Sequence, residues 1–324
     1  FECVHGVRLY NMTWLITGGA GYIGSHIVEL FLESNLEVVV FDNLSTGRKK
    51  RISTQVPLIQ ADILQPTEVQ KALENFHISG IINLAALKSV SESLRLPNKY
   101  AEVNHQGVKI LLECAKESGV QSFIQASSAA VYGNSASSIV TENSRLHPMS
   151  PYGVSKLEAE KEVEKFILNG HGRGVNLRYF NVVGSKNERL RDFSAENLFP
   201  IVIEKINRNE PPMIFGNDYP TQDGTCIRDY VHVLDIAKAH LLAAKTLESK
   251  QINQSLNLGT GKGYSVIQII GALLDSKNSK LIPQVVERRI GDPAALIADI
   301  SLAKLEIDFE AEFGLQDMVD STYG

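Results

Sequence analysis

The sequence predicts an α/β fold, a doubly wound parallel sheet followed by a second, smaller α/β domain that would bind substrate. Three observations predict it. Apolar runs of strand length alternate with stretches of helical period. The first run leads into a glycine-rich turn and then an amphipathic helix. After Asn181 the elements shorten, and Pro200, Pro211, Pro212, Pro220, Pro283 and Pro293 punctuate them.

The elements follow in order. Trp14-Leu15-Ile16 is the first strand run, followed by Val38 to Phe41, Leu58 to Gln60, Ile81 to Leu84, Ser122 to Ala126 and Val175 to Phe180. These runs are nearly continuous in apolar residues, as strands covered on both faces are, and that predicts parallel pairing. In Tyr22 to Glu33 the residues Ile23, Ile27, Leu30 and Phe31 share one helical face. Asn104 to Ser118 and Pro151 to Leu168 show the same period. Gly119 and Gly170 stop helices and Pro151 starts one. A chain of 324 residues suits two domains around one cleft. We expect a first domain over 12–182 and a second over 183–324. Parts of 229–262, with Val231 to Leu247 and Leu256 to Leu258, have the pattern to pack back on the first. Residues 1–11 precede Met12 and read as an extension outside the fold.

Composition excludes several classes. Hydrophobic content of 44% and charged content of 21% are ordinary for a globular protein. A net charge of −5 selects for neither nucleic acid nor an anionic membrane. The one basic run, Arg48-Lys49-Lys50-Arg51, is short and isolated and reads as a solvated loop. Cys3, Cys114 and Cys226 are odd in number and widely spaced, which fits a reducing compartment without disulfides. The eight histidines lack metal-ligand spacing, so no catalytic metal is expected. No apolar run is long enough to span a bilayer, and no signal peptide is visible. The expectation is a cytoplasmic protein.

The turn Thr17-Gly18-Gly19-Ala20-Gly21-Tyr22-Ile23-Gly24 places glycines at 18, 21 and 24 in a G-x-x-G-x-x-G variant of the Rossmann fingerprint. A tight turn and close backbone approach to a pyrophosphate exclude side chains at Gly18 and Gly21, and helix-to-strand packing excludes one at Gly24. The helix N-terminus then receives the anion. Asp42 ends the second strand, 18 residues past Gly24. A carboxylate there accepts ribose hydroxyls and repels a 2′-phosphate, which favours NAD over NADP. It also suits the turn Asp42-Asn43-Leu44-Ser45-Thr46-Gly47 on turn chemistry alone. Asp62-Ile63 follows the third strand, placed to meet an adenine edge.

Tyr152 and Lys156 stand at i and i+4 on a helix, hence on one face. A phenol has an ordinary pKa of about 10. An ammonium one turn away and a positive nicotinamide ring would both favour the phenolate. Ser128 lies 24 residues upstream at the end of the fifth strand, where ligand crevices form in open parallel sheets. Its hydroxyl can bridge the tyrosine oxygen and a substrate oxygen.

With these residues in place, the sequence resembles the extended short-chain dehydrogenase/reductases and, within them, the UDP-glucose 4-epimerases. The segments TGGAGYIGSH (17–26), FDNLSTGR (41–48), LAALKSVSES (84–93), SSAAVYG (127–133), SPYGVSK (150–156), LRYFNVVG (177–184), IFGNDYPTQDGTCIRDYVHV (214–233), NLGTGKG (257–263) and RIGDPAALIAD (289–299) carry it. The resemblance implies an isomerase with a resident NAD. Beside Gly18, Gly21 and Gly24, it implies cofactor contacts at Tyr22, Ile23, Asp42, Asn43, Ser45, Thr46, Gly47, Asp62 and Ile63. Leu84, Ala85, Ala86, Lys88, Tyr152, Lys156 and Phe180 complete that set. It implies an acid/base pair at Ser128 and Tyr152, with Lys156 as the third catalytic residue. It implies a nucleotide-sugar pocket at Lys88, Ser128, Tyr152, Asn181, Asn197, Leu198 and Met213, continuing through Phe215, Arg228, Tyr230, Arg289, Asp292 and Leu296. Two arginines suit a diphosphate through charge-assisted bonds, and an aspartate suits ribose hydroxyls. The implied chemistry is removal of the 4-hydroxyl proton by Tyr152, hydride transfer from C4 to NAD, rotation of the keto sugar and return of the hydride. A homodimer through the helices after Asn104 and at Tyr152 is implied as well.

Ser128-Ala129-Ala130 separates this chain from related 4,6-dehydratases, which carry Asp-Glu after the hydroxyl residue because eliminating water needs an acid and a base. Asn181 fits 4-epimerases better than uronate-acting relatives. The chain has Val103-Asn104 where the family pattern often has Asn-Asn. Leu296 stands where a bulky or a small residue gates N-acetylated sugars, which leaves UDP-GlcNAc/UDP-GalNAc open. The alternatives are an epimerase of another nucleotide sugar, N-acetylated or uronate, and a non-catalytic NAD-sensing protein on the same fold. A sensor is expected to lose the Tyr/Lys pair, which this chain keeps.

Overall fold

The computed structural model describes residues 12–324 except 195, 253, 290, 291 and 324, and leaves the side chain of residue 323 undescribed. The predicted extension at 1–11, with Cys3, lies outside the described residues. The strands are β1 (Thr13–Thr17), β2 (Glu37–Phe41), β3 (Leu58–Ile59), β4 (Gly80–Asn83), β5 (Ser122–Ser128), β6 (Ile139–Val140) and β7 (Arg173–Tyr179). They continue as β8 (Asn181–Val183), β9 (Met213–Phe215), β10 (Ile227–His232), β11 (Leu256–Leu258), β12 (Gly263–Ser265), β13 (Gln284–Val286) and β14 (Ala295–Ala298). The helices are α1 (Tyr22–Glu33), α2 (Pro66–Asn75), α3 (Val90–Arg95), α4 (Pro97–Tyr100), α5 (Gly107–Glu117) and α6 (Pro151–Leu168). After them come α7 (Leu198–Asn207), α8 (Val233–Leu247), α9 (Val266–Ser276), α10 (Ser301–Ile307) and α11 (Leu315–Tyr323).

Seven strands form the central sheet in the order β11-β7-β5-β4-β1-β2-β3, every pair parallel. This is the doubly wound arrangement expected. The apolar runs are continuous because successive residues enter different cores. Trp14, Ile16, Val38, Val40, Ile82 and Ile124 pack against α1 and α8 on one face. Leu15, Val39, Phe41, Ile81 and Phe123 pack against α2, α5 and α6 on the other. Each such side chain, fully buried, contributes about 1.5–3 kcal/mol. At β1 no residue faces water, so alternation has no polar position to show.

The later chain is split. β11 joins the central sheet beside β7, and α8 packs on α1 and the sheet. α10 packs in that core too, through Ala303 and Ile307, and most of the remaining chain builds a smaller assembly around β10, which pairs in parallel with β8 and β14 and antiparallel with β12. β14 continues to β6, and β9 pairs with β13. Phe199 and Val202 of α7, Ile269 and Leu273 of α9, and Met318 of α11 form its core.

The helix expected over 104–118 is not one regular element. α4 runs into a wide turn at Ala101–Gln106, hydrogen-bonded five residues apart, before α5 begins. Asn104 is buried inside this turn, with its side-chain amide bonded to the Leu87 backbone and Ser155. Among the described residues no helix is long and apolar enough to cross a membrane.

Candidate active site

The glycine loop joins β1 to α1 at the carboxyl end of the sheet. Gly18 has φ +69°, and a Cβ there would lie 2.7 Å from the Ala85 nitrogen and 2.8 Å from the Leu84 carbonyl carbon. Its need for glycine therefore comes from the β4 loop as much as from a ligand. A Cβ on Gly24 would strike the Gly18–Gly19 backbone, the helix-to-strand packing expected. A Cβ on Gly21 would meet only the Gly18 oxygen, at 3.0 Å. Gly21 is thus the glycine whose free side lies open. α1 has neither a capping side chain nor an acid in its first turn, so nothing competes with an anion for its positive end. These residues fit a dinucleotide pyrophosphate.

Asp42 is buried, and its two oxygens accept from the amides of Ala20 at 2.9 Å and Leu44 at 2.8 Å. A Cβ on Gly47 would lie 2.7 Å from Asp42 Oδ1, so that glycine makes room for the carboxylate. Burial pushes the Asp42 carboxyl up, and the two amide bonds oppose the rise. Each oxygen keeps a lone pair for a ribose hydroxyl. The Asn43 side chain accepts from the Ser45 amide and donates to Asp62 at 2.8 Å, while Ser45 and Thr46 are exposed. Asp62 also accepts from the Leu64 amide. Ile63 turns its side chain into the core, which leaves its backbone to face an adenine. Arg48, six residues past Asp42, stacks on Phe193 with its guanidinium 4.3 Å from the ring centroid. Tyr22 donates its hydroxyl to the Gly184 carbonyl at 2.6 Å, tying α1 to the chain after β8. Ile23 packs against the first core, and Ala85 against the second. Leu84 and Ala86 are half-buried and Lys88 is exposed at the end of β4.

The residues expected to be catalytic, Ser128, Tyr152 and Lys156, sit where β5 ends and α6 begins. Ser150 caps α6 by accepting the Gly153 amide at 3.1 Å, with Pro151 in the first turn. Ser128, whose hydroxyl accepts from the Ala130 amide at 3.2 Å, stands close enough to Tyr152 to act on its phenol. Burial raises the phenol above its ordinary value, and Ser128 lowers it. Lys156 is 5% exposed, and burial lowers it to about 8. Its Nζ donates to the Ala126 carbonyl at 2.9 Å. The ammonium expected to favour the phenolate thus points at the β5 backbone, and by itself the protein keeps Tyr152 protonated. A positive ring placed beside Tyr152 is the remaining influence that could favour ionisation.

The expected sugar-nucleotide residues converge through strand register. β8–β10 pairing puts Asn181 opposite Tyr230, and β10–β14 pairing puts Arg228 opposite Leu296. Arg228 donates to the Pro293 carbonyl at 2.7 Å and faces Asp292 at 3.7 Å. Arg289 lies over the Phe215 ring at 4.1 Å, and Met213 begins the same strand β9. Arg228, Asp292 and Arg289 all act electrostatically on Cys226, so the three share one locale. Leu296 is 8% exposed and packs with Tyr132, Val140 and Phe180. Tyr230 is buried against Phe199. Asn197 and Leu198 begin α7, and the Asn197 amide donates to Asp192 at 2.5 Å.

Several residues of the site were not legible in sequence. Asn104 clamps Leu87 and Ser155 together, which holds the β4 loop against α6. An Asn within an otherwise helical stretch was the only local sign. The Tyr100 ring meets Tyr152 edge-on at 6.4 Å. Glu160 and Arg178 form a buried pair behind Lys156.

Comparison with known proteins agrees with this geometry. The model of the NAD dependent epimerase/dehydratase family matches residues 14–259. A UDP-glucose 4-epimerase of Erwinia amylovora is 37% identical, covering 96% of this chain and 97% of its own. A crystal structure of a UDP-glucose 4-epimerase from Stenotrophomonas maltophila, with bound NAD and formylated UDP-arabinopyranose, superimposes with a TM-score of 0.92. It is 36% identical and covers 96% of this chain and 97% of that one. The UDP-Glc/GlcNAc 4-epimerase of Campylobacter jejuni follows with a TM-score of 0.85 and 35% identity, covering 96% of this chain and 98% of its own. A glycine loop, a buried Asp42 and a Ser128–Tyr152–Lys156 cluster on such a sheet, matched over nearly the whole length, mean that the chain belongs to the NAD dependent epimerase/dehydratase family.

Proposed function

We propose that this chain interconverts UDP-galactose and UDP-glucose by 4-epimerisation on a resident NAD. The observation that carries the reading is the Ser128–Tyr152–Lys156 cluster beside the glycine loop, followed by Ala129 and Ala130 instead of an acid pair. Tyr152 takes the proton of the 4-hydroxyl, and Ser128 bridges it to the sugar oxygen. Lys156 holds a ribose hydroxyl of the cofactor. Asp42 and Asp62 hold the adenosine end, and the N-terminus of α1 holds the pyrophosphate. NAD, when bound, supplies a hydride acceptor that becomes the donor, so no net oxidation occurs.

The cofactor unit in this reading is 12–182 with α8, β11 and α10, and the remainder of 183–324 holds the nucleotide sugar. Arg228 and Arg289 meet the diphosphate, Asp292 the uridine ribose, and Phe215 the uracil. Asn181, Asn197, Leu198, Met213, Tyr230 and Lys88 line the rest. A homodimer is part of the proposal. Leu94 on α3, Leu96 and Met149 beside α4 and α6, and Val154 on α6 are exposed apolar residues at the surface of α3, α4 and α6. A cytoplasmic setting accords with the chemistry.

Adding UDP-galactose without NAD and following the anomeric proton by NMR tests the reading. Conversion to UDP-glucose is expected. No conversion, with NAD supplied as well, overturns it. UDP-GalNAc in the same tube tests the second substrate class, which the moderate bulk of Leu296 keeps open.

A further inference from the structure

The basic run Arg48-Lys49-Lys50-Arg51 has no part in the chemistry described so far, and the fold does not leave all of it in solvent. Lys49 and Lys50 are exposed, but Arg51 is buried. Its Nη2 donates to the Arg191 carbonyl at 2.5 Å. Arg48 and Arg51 both lie over the Phe193 ring, 4.3 Å and 5.9 Å from its centroid. Residues 191 and 193 belong to the segment 184–193, which follows β8 and makes one short helical turn at Glu188–Leu190, with Leu190 fully buried. The same segment also grips α1. Tyr22, His26, Glu29 and Glu33 share one face of that helix. Tyr22 donates to the Gly184 carbonyl, and His26 Nε2 accepts from the Lys186 amide at 3.1 Å. Lys186 pairs with Glu33 and, at 3.6 Å, with Glu29. Arg189 joins the two sides, because one guanidinium nitrogen donates to Glu29 and another to the Arg51 carbonyl.

The segment thus ties together two walls of the cofactor site. α1 presents the N-terminus that fits a pyrophosphate, and the loop after β2 carries Asp42 and Gly47. This loop also touches the glycine loop, where the Arg48 amide donates to the Ala20 carbonyl at 2.9 Å. We propose that the segment 184–193, pinned by Arg189, is a clasp that slows exchange of the dinucleotide by holding these two walls together. The inference rests on the proposed seating of NAD on the glycine loop. A ligand gripped from two sides leaves when the sides part, and parting them breaks the bonds of Arg189. The bonds of the clasp run to the walls, so loosening it quickens entry and release alike and leaves the affinity nearly unchanged. The side chains of Arg189 and Glu29 are 39% and 16% exposed, so salt reaches the pair and weakens it. A reaction without net oxidation has no need to exchange its cofactor.

The experiment follows the cofactor and not the reaction. Protein loaded with NAD labelled in the adenine is freed of excess and chased with unlabelled NAD, and the label lost with time gives the release rate. Equilibrium dialysis gives Kd, and the two together give the entry rate. Arg189→Gln should release NAD about 3–30-fold faster, the loss of a charge-assisted bond discounted for partial exposure. Its Kd should stay within about threefold of wild type, because entry quickens by the same factor. Glu29→Gln should act in the same direction, with the double variant falling short of the product of the singles, as residues in contact do. Arg189→Lys should recover part of the effect. Lys71→Gln, which removes an exposed pair with Glu68 on α2, should leave release unchanged. Should Arg189→Gln fail to fold, Phe193→Ala, which removes the ring under Arg48 and Arg51, carries the same prediction. Salt tests the clasp without a variant: release from wild type should quicken about twofold or more between roughly 0.05 and 0.5 M NaCl, and by less in Arg189→Gln. Wild-type release rates in Arg189→Gln and Glu29→Gln overturn the inference. So does faster release with Kd raised by the same factor and entry unchanged, which marks a damaged site. The exchange needs no turnover, so absence of epimerisation in wild type would sink the functional reading and leave this result standing, whereas a wild type that takes up no NAD would sink both.

Discussion

Replacing Gly24 by alanine should dislodge the cofactor loop. The added Cβ would lie 2.7 Å from Gly19 Cα and closer still to the Gly18 carbonyl oxygen. All of these atoms are backbone, so no rotamer change relieves the contact. Carbon and oxygen need roughly 3.5 Å, so the loop must retreat from α1 by on the order of 0.5–1 Å. Overpacking of this kind costs about 1–3 kcal/mol. In a chain of this size each kcal/mol lowers Tm by roughly 1–2 °C. The same retreat moves Gly21 and the α1 N-terminus away from the pyrophosphate, so NAD retention should suffer more than stability. The assay is NAD released per polypeptide after purification, with a thermal melt alongside. Gly271→Ala is the control: it sits within α9 with nothing inside 4 Å of its Cβ, and should stabilise by about 0.5–1 kcal/mol. A Gly24→Ala protein with wild-type NAD content and a Tm within about 1 °C would refute the reasoning.

Three further outcomes are expected. Tyr152→Phe should lower kcat by about 10²–10⁴-fold while leaving NAD bound, checked by the NMR assay and cofactor release. Arg228→Met should raise KM for the UDP-sugar about 10–100-fold with a smaller change in kcat, since it removes a charge-assisted contact; a loss confined to kcat would contradict its role. Acid should destabilise the fold between pH 6.5 and 4. Burial pushes His26, His232 and His240 down to about 4, so they stay neutral in the fold while the unfolded chain protonates near 6.5. Their contribution is complete above about 6.5 and is lost as pH drops toward 4, about 2 kcal/mol for each at pH 5. Carboxyls that burial pushes up, Asp235 to about 6 and with it Asp42, Glu142, Glu164 and Asp229, work in the opposite direction and reduce the loss. Urea midpoints at pH 7 and pH 5 check this, and equal midpoints would count against neutral buried imidazoles.

Local codes were legible in the sequence because they act over a few residues. The period of apolar residues reports which neighbours share a face, so β1, α1 and the parallel sheet could be read from Trp14 to Glu33 and its repeats. Glycine spacing and the Tyr152/Lys156 step are equally local, and both stand where the pattern puts them. Even the splitting of the second half could be anticipated, since α8 and β11 carry the pattern of the first.

Pairings between distant residues were decided only by the fold. Arg48 reads as part of a solvated basic loop, and only the fold shows that Phe193, far along the chain, lies under its guanidinium. Asn104 lies in the wide turn of its helix, where its side chain bonds Leu87 and Ser155, partners that no local pattern announces. Lys156 turns to the Ala126 carbonyl, and Glu160 finds Arg178 across the sheet, because α6 lies on β5 and β7 at one particular height. Periodicity states which face of a helix is buried. What that face meets, and so which charges survive burial, follows from packing alone.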